Sequence, residues 1–483
     1  MAEPVPTAEV TPGRSRRLLV VALVAALLAA AGVADRAARE PKPTARRASA
    51  GMPVASPVAA LSSSWFCPGG TADASAAADV SVVVVNTATT KATGTLTVVP
   101  SQGDPKQVPL SVDPRSRSVV RLGDVVPAAY DAALVDLDQG GVAVEYAISS
   151  SASISTAPCA SSASGDWYLA DGSTERDDSM LLTLFNPFPD DAIVDLSFAT
   201  DQGRAEPSEF QGIVVKGGRL AVVNVGDHVR RRANIAVTAS ARTGRFVMGR
   251  IQTRVGPPAG ASTTLAAPSP AETWYFPDGL VADGVAERFN LYNPSDREAQ
   301  VEIDLSLDQG SAEPFDLTVP AHDRLTLNAQ DEERIPRGVG HSATVRSVNG
   351  VAVVAEQTLA TGSPAPRTGF ADQLGIRAPA RRWSFAIGGT SNTVDEWITV
   401  QNADPSHPVR LSVTVLAQGQ LLAVDGATGL DVPAGGRLAI RLTDHVSRAD
   451  LPLVVTANGP IAAVRGIYYG DRPGVAISAG IPY

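Results

Sequence analysis

The residues that could support catalysis are sparse in this chain of 483 residues, which has five histidines and two cysteines. Two histidines recur in similar surroundings, VGDHV and LTDHV, where Asp227-His228 and Asp444-His445 resemble half of a catalytic pair. No Ser or Cys nucleophile can be assigned to either pair. The sequence also has no G-x-S-x-G elbow, H-E-x-x-H motif or P-loop. We therefore predict no catalytic residues and no enzyme, and expect both histidines in surface turns.

Two acidic loops are the candidates for a metal site. DGSTERDD carries Asp171, Glu175, Asp177 and Asp178, and PDGLVADG carries Asp278 and Asp283. Calcium is bound by such oxygen clusters, but the spacing of a complete calcium loop is missing. We predict solvated loops, no metal ligands and no cofactor, with calcium as the alternative.

The two cysteines, Cys67 and Cys159, lie at the two ends of one segment of about 100 residues. An oxidising exterior would join them if the ends of that segment meet. We predict this disulfide; two free buried thiols or a two-Cys metal site are the alternatives.

The segment around the cysteines is one of four similar stretches, and this repetition is the strongest signal in the sequence. Each copy opens with Trp and a Gly five residues later, has an apolar run that ends in Asn, a Gly seventeen residues after that Asn, and an Arg after a turn. In chain order these residues are Trp65, Trp167, Trp274 and Trp383; Asn86, Asn186, Asn293 and Asn402; Gly103, Gly203, Gly310 and Gly419; and Arg117, Arg219, Arg324 and Arg437.

Within a copy the apolar residues alternate with polar ones, as in strands with one buried face. Val301, Ile303, Leu305 and Leu307, for example, alternate with acidic residues and Ser306. About seven short strands in 100 residues are typical of an antiparallel sandwich. We predict an all-β chain of four tandem immunoglobulin-like β-sandwich repeats after an N-terminal hydrophobic helix: copy 1 at 62–165, copy 2 at 166–272, copy 3 at 273–381 and copy 4 at 382–483.

The repeated residues have structural explanations. We expect each Trp to cover the core of its copy rather than stack on a ligand, each Asn to bond backbone in a turn, and each Gly to adopt positive φ. The repeated Arg would enter a strand and pair across its own sheet with Glu145 in copy 1 or Glu356 in copy 3; copies 2 and 4 show Arg250 and Arg465 there.

The N-terminus predicts an envelope location. Residues 18–34 contain no charge and follow three arginines. At about 1.5 Å per residue they form a short membrane span, with residues 1–17 in the cytoplasm. A cleaved signal segment, which would make the protein secreted, or a buried helix are the alternatives. Residues 35–61 are predicted to be a disordered tether.

Composition limits the partners. The net charge of −10 argues against nucleic acid, which needs a basic surface. An aromatic content of 5% argues against broad stacking surfaces.

The repeated motifs resemble those of a family of actinobacterial secreted and surface proteins of unknown function, with W-Y-F-x-E-G, L-x-N-P and V-P-A-x-S-R in each repeat. Here WYFPDG, LYNP and VPAHDR in copy 3 match them. The resemblance covers about 420 residues, and implies an extracytoplasmic β protein but no activity. WFCPGG and WSFAIG lack the acidic residue of the first motif.

Three functions are compatible with these observations. The first is a membrane-anchored, non-enzymatic structural or interaction protein of the cell envelope with an envelope protein or glycan as partner. The second is a carbohydrate-binding accessory to cell-wall or surface polysaccharide assembly, which needs an open aromatic face such as Trp397 with Tyr292. The third is a divergent hydrolase that uses Asp227 or Asp444.

Overall fold

A computed structural model describes residues 53–71, 79–150, 153–310, 312–417 and 419–483. The predicted span at 18–34 and most of the predicted tether lie outside these residues. Within the described ranges no helix has the length and apolar character to cross a membrane. The described chain is all-β, and its strands pair antiparallel in every sheet, as predicted from the alternating residues.

Copy 1 forms two four-stranded sheets with orders β1-β6-β3-β4 and β5-β2-β7-β8. A four-residue helix, α1, follows β5. The bounds are β1 Ser63–Thr71, β2 Asp79–Asn86, β3 Ala92–Pro100, β4 Lys106–Val112, β5 Ser116–Arg121, α1 Leu122–Val125, β6 Tyr130–Leu137, β7 Val142–Ser149 and β8 Ile154–Pro158.

Copies 2 and 3 repeat this arrangement. Their sheets are β9-β15-β11-β12, with β13 also on β11, and β14-β10-β16-β17; then β18-β23-β20-β21 and β22-β19-β24-β25. The bounds are β9 Asp166–Leu169, β10 Ser179–Asn186, β11 Ala192–Thr200, β12 Gly203–Ala205, β13 Ile213–Val215, β14 Arg219–Asn224, β15 Ile235–Thr243, β16 Val247–Arg254, β17 Gly260–Leu265, β18 Thr273–Leu280, β19 Val285–Asn293, β20 Ala299–Leu307, β21 Phe315–Val319, β22 Asp323–Asn328, β23 Gly340–Ser347, β24 Val354–Thr361 and β25 Gly369–Leu374.

Copy 4 differs because one long strand, β31, takes part in both layers and joins them into an eight-stranded sheet. Its first part pairs with β26 and β28, and its second part pairs with β27 and β32. The bounds are β26 Ala380–Phe385, β27 Val394–Asn402, β28 Val409–Ala417, β29 Gln420–Val432, β30 Arg437–Arg441, β31 Leu453–Tyr469, β32 Val475–Ala479 and β33 Ile481–Pro482.

Short helical turns follow the strand that carries the repeated Arg. They are α1 in copy 1 and the 3₁₀ turns Val225–Asp227, Ala329–Asp331 and Leu442–Asp444 in the later copies; a further 3₁₀ turn is Ser208–Phe210. Each copy has its own apolar cluster between its two layers, built around Trp65, Trp167, Trp274 or Trp383. Strand alternation supplies these side chains, since every second residue points into the gap between layers.

The last full-length strands of the four copies lie together in the middle of the molecule. Strand β8 packs against β17 and β32, and β25 packs against the same two strands. Each copy therefore contacts the next one along the chain, and copy 4 contacts copy 1.

The N-terminal end of the described chain reinforces the contact between copies 1 and 4. The Ala55 amide donates to the Pro482 carbonyl at 2.9 Å, and the Val54 amide donates to Ser161 Oγ at 3.1 Å. Residues 53–61 were predicted as part of a disordered tether, but here they pack on copy 1 and on the C-terminal strand. Backbone hydrogen bonds hold them in place, for example from the Gly141 amide to the Ser56 carbonyl. Such backbone contacts cannot be predicted from the Pro- and Ala-rich composition of the segment.

Candidate functional site

Strands β7, β16 and β24 and the second part of β31 are equivalent in the four copies, and each carries two adjacent positions that contact the neighbouring copies. Pairing with the last strand aligns Glu145, Gly249, Glu356 and Val464 at the first position. It aligns Tyr146, Arg250, Gln357 and Arg465 at the second position. The glutamates and arginines therefore occupy neighbouring positions, not one shared position as the sequence pattern had indicated.

The charged residues at these positions pair between copies. Arg250 Nη1 of copy 2 lies 2.9 Å from Glu356 Oε2 of copy 3, and Arg465 Nη1 of copy 4 lies 3.2 Å from Glu145 Oε2 of copy 1. All four side chains are buried, at 0–1% exposure. Burial raises the pKa of both glutamates, and the neighbouring guanidinium opposes that shift.

The backbone after the repeated Trp completes each of these two sites. The amide of Ala170, three residues after Trp167, donates to Glu356 at 2.7 Å. The amides of Ala386 and Ile387 after Trp383 donate to Glu145 at 3.1 and 2.9 Å. A buried carboxylate needs such hydrogen-bond partners, and the backbone after the Trp of one copy supplies them to the Glu of the next copy.

The other two boundaries have lost both charges together. Between copies 1 and 2 the corresponding residues are Tyr146 and Gly249, and between copies 3 and 4 they are Gln357 and Val464. Tyr146 is buried and its hydroxyl accepts from Thr263 of copy 2 at 3.2 Å. Joint loss is expected for a buried pair, because removal of one partner alone leaves an uncompensated charge.

The repeated Arg makes a second contact between copies. Arg437 Nη2 of copy 4 lies 3.1 Å from Asp278 Oδ1 of copy 3, and Arg219 Nη2 of copy 2 lies 2.8 Å from Asp104 of copy 1. Arg117 of copy 1 donates to the Ala386 carbonyl of copy 4 and pairs with Asp450.

Arg324 of copy 3 differs, because its guanidinium donates to Asn290 and Thr326 of its own copy. Burial lowers its pKa, and Asp171 of copy 2 partly offsets that shift. Thus Arg117, Arg219 and Arg437 contact the preceding copy, and for copy 1 the preceding copy is copy 4. The predicted pairing of Arg117 with Glu145 and of Arg324 with Glu356 inside one sheet does not form, because both glutamates are engaged by arginines of another copy.

The other repeated residues bond backbone within their own copies. The indole Nε1 of Trp167, Trp274 and Trp383 donates to the carbonyls of Phe246, Val353 and Ile461. Each Asn Nδ2 donates to two or three carbonyls of its turn, as Asn86 does to Thr90 and Val112 at 2.8 and 3.1 Å; the others are Asn186, Asn293 and Asn402. Gly103, Gly203, Gly310 and Gly419 have φ of 96°, 99°, 90° and 75°.

Cys67 and Cys159 form the predicted disulfide. The two Asp-His pairs lie at the short helical turns that precede β15 and β31, and the His228 ring packs edge-on against Phe210 at 5.0 Å.

Each of the two acidic loops places one aspartate in a contact with the next copy. Asp171 is buried and accepts from Thr358 of copy 3 at 2.8 Å, and Asp278 pairs with Arg437. Across the described residues, no group of three or more Asp, Glu, His or Cys is arranged to hold a metal ion.

A cleft of about 340 Å³ opens where copies 3 and 4 meet. Trp397 and Tyr468 supply its aromatic wall, and its charged residues are Asp278, Asp308, Arg367 and Arg437. Arg367, on the loop after β24, reaches across to copy 4, where its guanidinium lies 3.9 Å from the centre of the Tyr468 ring and pairs with Asp395. We call these residues the copy 3–4 cleft.

Asp395 fixes the aromatic wall of the copy 3–4 cleft. It accepts hydrogen bonds from Trp397 Nε1 at 3.1 Å, from Arg441 Nε at 2.9 Å and from Thr443 Oγ1 at 3.0 Å. Burial works to raise the pKa of Asp395, but the hydrogen bonds from Arg441 and Trp397 outweigh it and hold that pKa below its usual value. Asp395 therefore stays ionised and orients the indole ring.

Tyr292, which the sequence had grouped with Trp397, lies elsewhere. It is buried between copies 2 and 3, with its hydroxyl 2.7 Å from Thr238 Oγ1. The structure thus separates the two aromatics and places Tyr468 beside Trp397 instead. One sequence signal did mark Trp397: it is the one Trp of the five that is not at the repeated opening position.

Comparisons with known proteins give a family and some distant structural likenesses. Residues 143–371 match DUF5719, a family of unknown function. No curated protein matches the chain.

Among solved structures, the Thermotoga maritima 1070 protein is 20% identical, with 22% of this chain and 94% of that one covered and a TM-score of 0.21. The Anabaena sensory rhodopsin transducer is 24% identical, with coverages of 18% and 83% and a TM-score of 0.17. A tetra-tandem repeat from the extending region of a large adhesion protein is 11% identical, with coverages of 82% and 92% and a TM-score of 0.11. We draw no conclusion from likenesses this low.

Proposed function

We propose that this protein is a membrane-anchored, extracytoplasmic and non-enzymatic interaction protein of the cell envelope. In this proposal four tandem immunoglobulin-like β-sandwich copies close into a ring, which residues 18–34 hold at the membrane. The observation that carries the proposal is that the last full-length strands of successive copies pack on one another at every boundary, and that the same packing joins copy 4 to copy 1. A ring closed in this way presents fixed surfaces rather than beads on a flexible string.

The use of the repeated residues supports a structural rather than a catalytic role. Each Asn and three of the four Trp bond backbone, Gly forms turns, and three of the four Arg contact the preceding copy. Binding specificity must then come from residues that differ between copies. The disulfide between Cys67 and Cys159 supports an oxidising, extracytoplasmic location.

The location is tested with an amine reagent that does not cross membranes, applied to intact bacterial cells that produce the full chain. Lys91 and Lys216 are exposed and supply the reactive groups. We expect labelling in intact cells and recovery of the protein with the membrane fraction, and loss of the membrane association when residues 1–34 are removed. Labelling only after lysis would refute the extracytoplasmic location.

The interaction role is tested by crosslinking in intact cells, with the full chain and the chain without residues 1–34. Recovery of the same envelope protein or glycan by both forms is expected if the ring is the recognition module. Hydrolysis or transfer of a cell-wall substrate by the purified chain would refute the non-enzymatic assignment.

Carbohydrate binding is the second candidate function. It is favoured by one observation, the aromatic wall of the copy 3–4 cleft.

A further inference from the structure

The copy 3–4 cleft is built from residues that break the repeat. Trp397 stands five residues before the repeated Asn402, where the other copies have Ser81, Leu181 and Arg288. The residues that the repeats share serve turns and boundaries, so a feature confined to one boundary cannot be explained by the common architecture.

The cleft has the shape and the composition of a small-ligand site. Its volume of about 340 Å³ is in the range of pockets that enclose small molecules, which combine an apolar wall with a few fixed polar groups. Trp397 and Tyr468 are half-buried, so part of each ring stays available in the cleft. The other tryptophans, Trp65, Trp167, Trp274 and Trp383, are 0–1% exposed.

The charged groups of the cleft balance one another. Arg437 pairs with Asp278 and with Asp308, at 3.1 and 2.8 Å, and Arg367 pairs with Asp395. A strongly charged ligand would have to displace one of these partners, whereas a neutral ligand could add hydrogen bonds to the paired groups. A carboxylate has about four lone-pair positions, so Asp308, which is 49% exposed, can still accept a hydrogen bond from such a ligand beside its contact with Arg437.

We propose that the copy 3–4 cleft binds a neutral sugar ring of a polysaccharide. A pyranose or furanose ring has a face of C–H groups that packs on an indole, and a rim of hydroxyl groups that needs both donors and acceptors. Trp397 supplies the first surface, and the charged residues that line the cleft supply the second: Asp278 and Asp308 as acceptors, and Arg367 and Arg437 as donors. This proposal does not rest on a role in the cell envelope. The cleft lies within copies 3 and 4, so a chain without residues 1–34 is expected to bind the sugar as well.

The position of the tryptophans gives a direct probe, because Trp397 is the one indole that a quencher in solution can reach. Acrylamide quenching of the full chain in detergent is measured with and without maltotriose, α-1,6-mannotriose and α-1,5-arabinotriose. We expect at least one of these neutral trisaccharides to protect the accessible fraction of the fluorescence. Titration calorimetry then gives the affinity of that trisaccharide for the native chain and for each variant.

Trp397→Ala is expected to weaken binding at least about tenfold, and Trp397→Phe, which keeps an aromatic face, is expected to weaken it less. Phe188→Ala is the matched control, because Phe188 is a half-buried aromatic of copy 2 outside the cleft, and it should leave affinity unchanged. Circular dichroism checks that the variants fold, and Arg367→Gln offers a second test of the cleft if Trp397→Ala does not. Two results would each overturn the proposal: no binding of any trisaccharide with a Kd below about 1 mM, or unchanged affinity in the folded cleft variants.

Discussion

The pairing of Glu145 with Arg465 predicts a measurable coupling between residues 320 positions apart in the chain. The perturbation is Glu145→Gln, Arg465→Met and the two together. The side chains of Glu145 and Arg465 are buried at the boundary between copies 1 and 4, at 0–1% exposure. At 3.2 Å and an effective dielectric constant of about 20, the attraction is about 5 kcal/mol before the cost of desolvation is subtracted.

Each single change should lower the free energy of unfolding by about 3–5 kcal/mol, because it leaves the partner charge buried and unpaired. The double variant should lose less than the sum, with a coupling energy of about 2–3 kcal/mol. Urea unfolding monitored by tryptophan fluorescence gives the four free energies of the cycle.

Two further cycles provide the controls for this measurement. Arg250→Met with Glu356→Gln should also show coupling, since Arg250 and Glu356 form a buried pair between copies 2 and 3, with Asp372 as a second partner of Arg250 at 3.3 Å. Glu145→Gln with Arg250→Met should be additive, because these two residues belong to different pairs. Additivity of the Glu145 and Arg465 changes, with coupling intact at Arg250 and Glu356, would refute the contact of copy 1 with copy 4.

Three other predictions concern stability and protonation. Burial raises the pKa of Asp131 to about 7, so its contribution to stability is largest at low pH and is lost between about pH 4 and 7. The free energy of unfolding of Asp131→Asn relative to the native chain should therefore rise by on the order of 2 kcal/mol from pH 4 to pH 8. An equal difference in urea midpoint between the two chains at both pH values would contradict this. Burial works to lower the pKa of His341, but Glu287 at 2.7 Å outweighs it and raises that pKa, so the contribution of the pair to stability is complete below the unfolded pKa of about 6.5 and is lost as the pH rises through the folded value. An NMR titration should place the pKa of His341 above that of an unfolded histidine, and a pKa at or below that value would contradict this. The disulfide between Cys67 and Cys159 spans 92 positions, so reduction should destabilise copy 1 by up to about 4–5 kcal/mol, and an unchanged thermal midpoint under reducing conditions would show that the crosslink is not stabilising.

Local patterns in the sequence were sufficient to predict the strands and the disulfide. The alternation from Val301 to Leu307 sets one face of β20 toward the core, and the structure buries Val301, Ile303 and Leu305 and leaves Leu307 half-buried at the strand end. A period of two depends only on the strand itself and its nearest layer. The disulfide followed in the same way, from two cysteines at the ends of one copy.

The contacts between copies could not be predicted, because a local pattern does not say which copies touch. Glu145, Arg250, Glu356 and Arg465 were visible as a degraded motif, but they were assigned to one position and to partners within a sheet. Their partners lie 106 and 320 residues away along the chain, at boundaries that only the assembled molecule defines. Tyr468 carried no signal at all, since its place opposite Arg367 depends on the copy boundary.

The degraded motif becomes regular when it is followed by boundary instead of by copy. Within a single copy, Glu145 and Arg250 each lack a partner of opposite charge at the neighbouring position. Across a boundary, Arg250 meets Glu356 and Arg465 meets Glu145, while the other two boundaries lack both charges. One charge of such a pair without the other would be buried and unpaired at a cost of about 3–5 kcal/mol, so the two charges are expected to be present or absent together. At the boundary between copies 1 and 2 the arginine position holds Tyr146. The boundary between copies 3 and 4 has its ion pair at other positions, Arg437 and Asp278, and bears the cleft with Trp397. The four boundaries therefore differ in the side chains that close them, and the boundary between copies 3 and 4 is where we expect recognition.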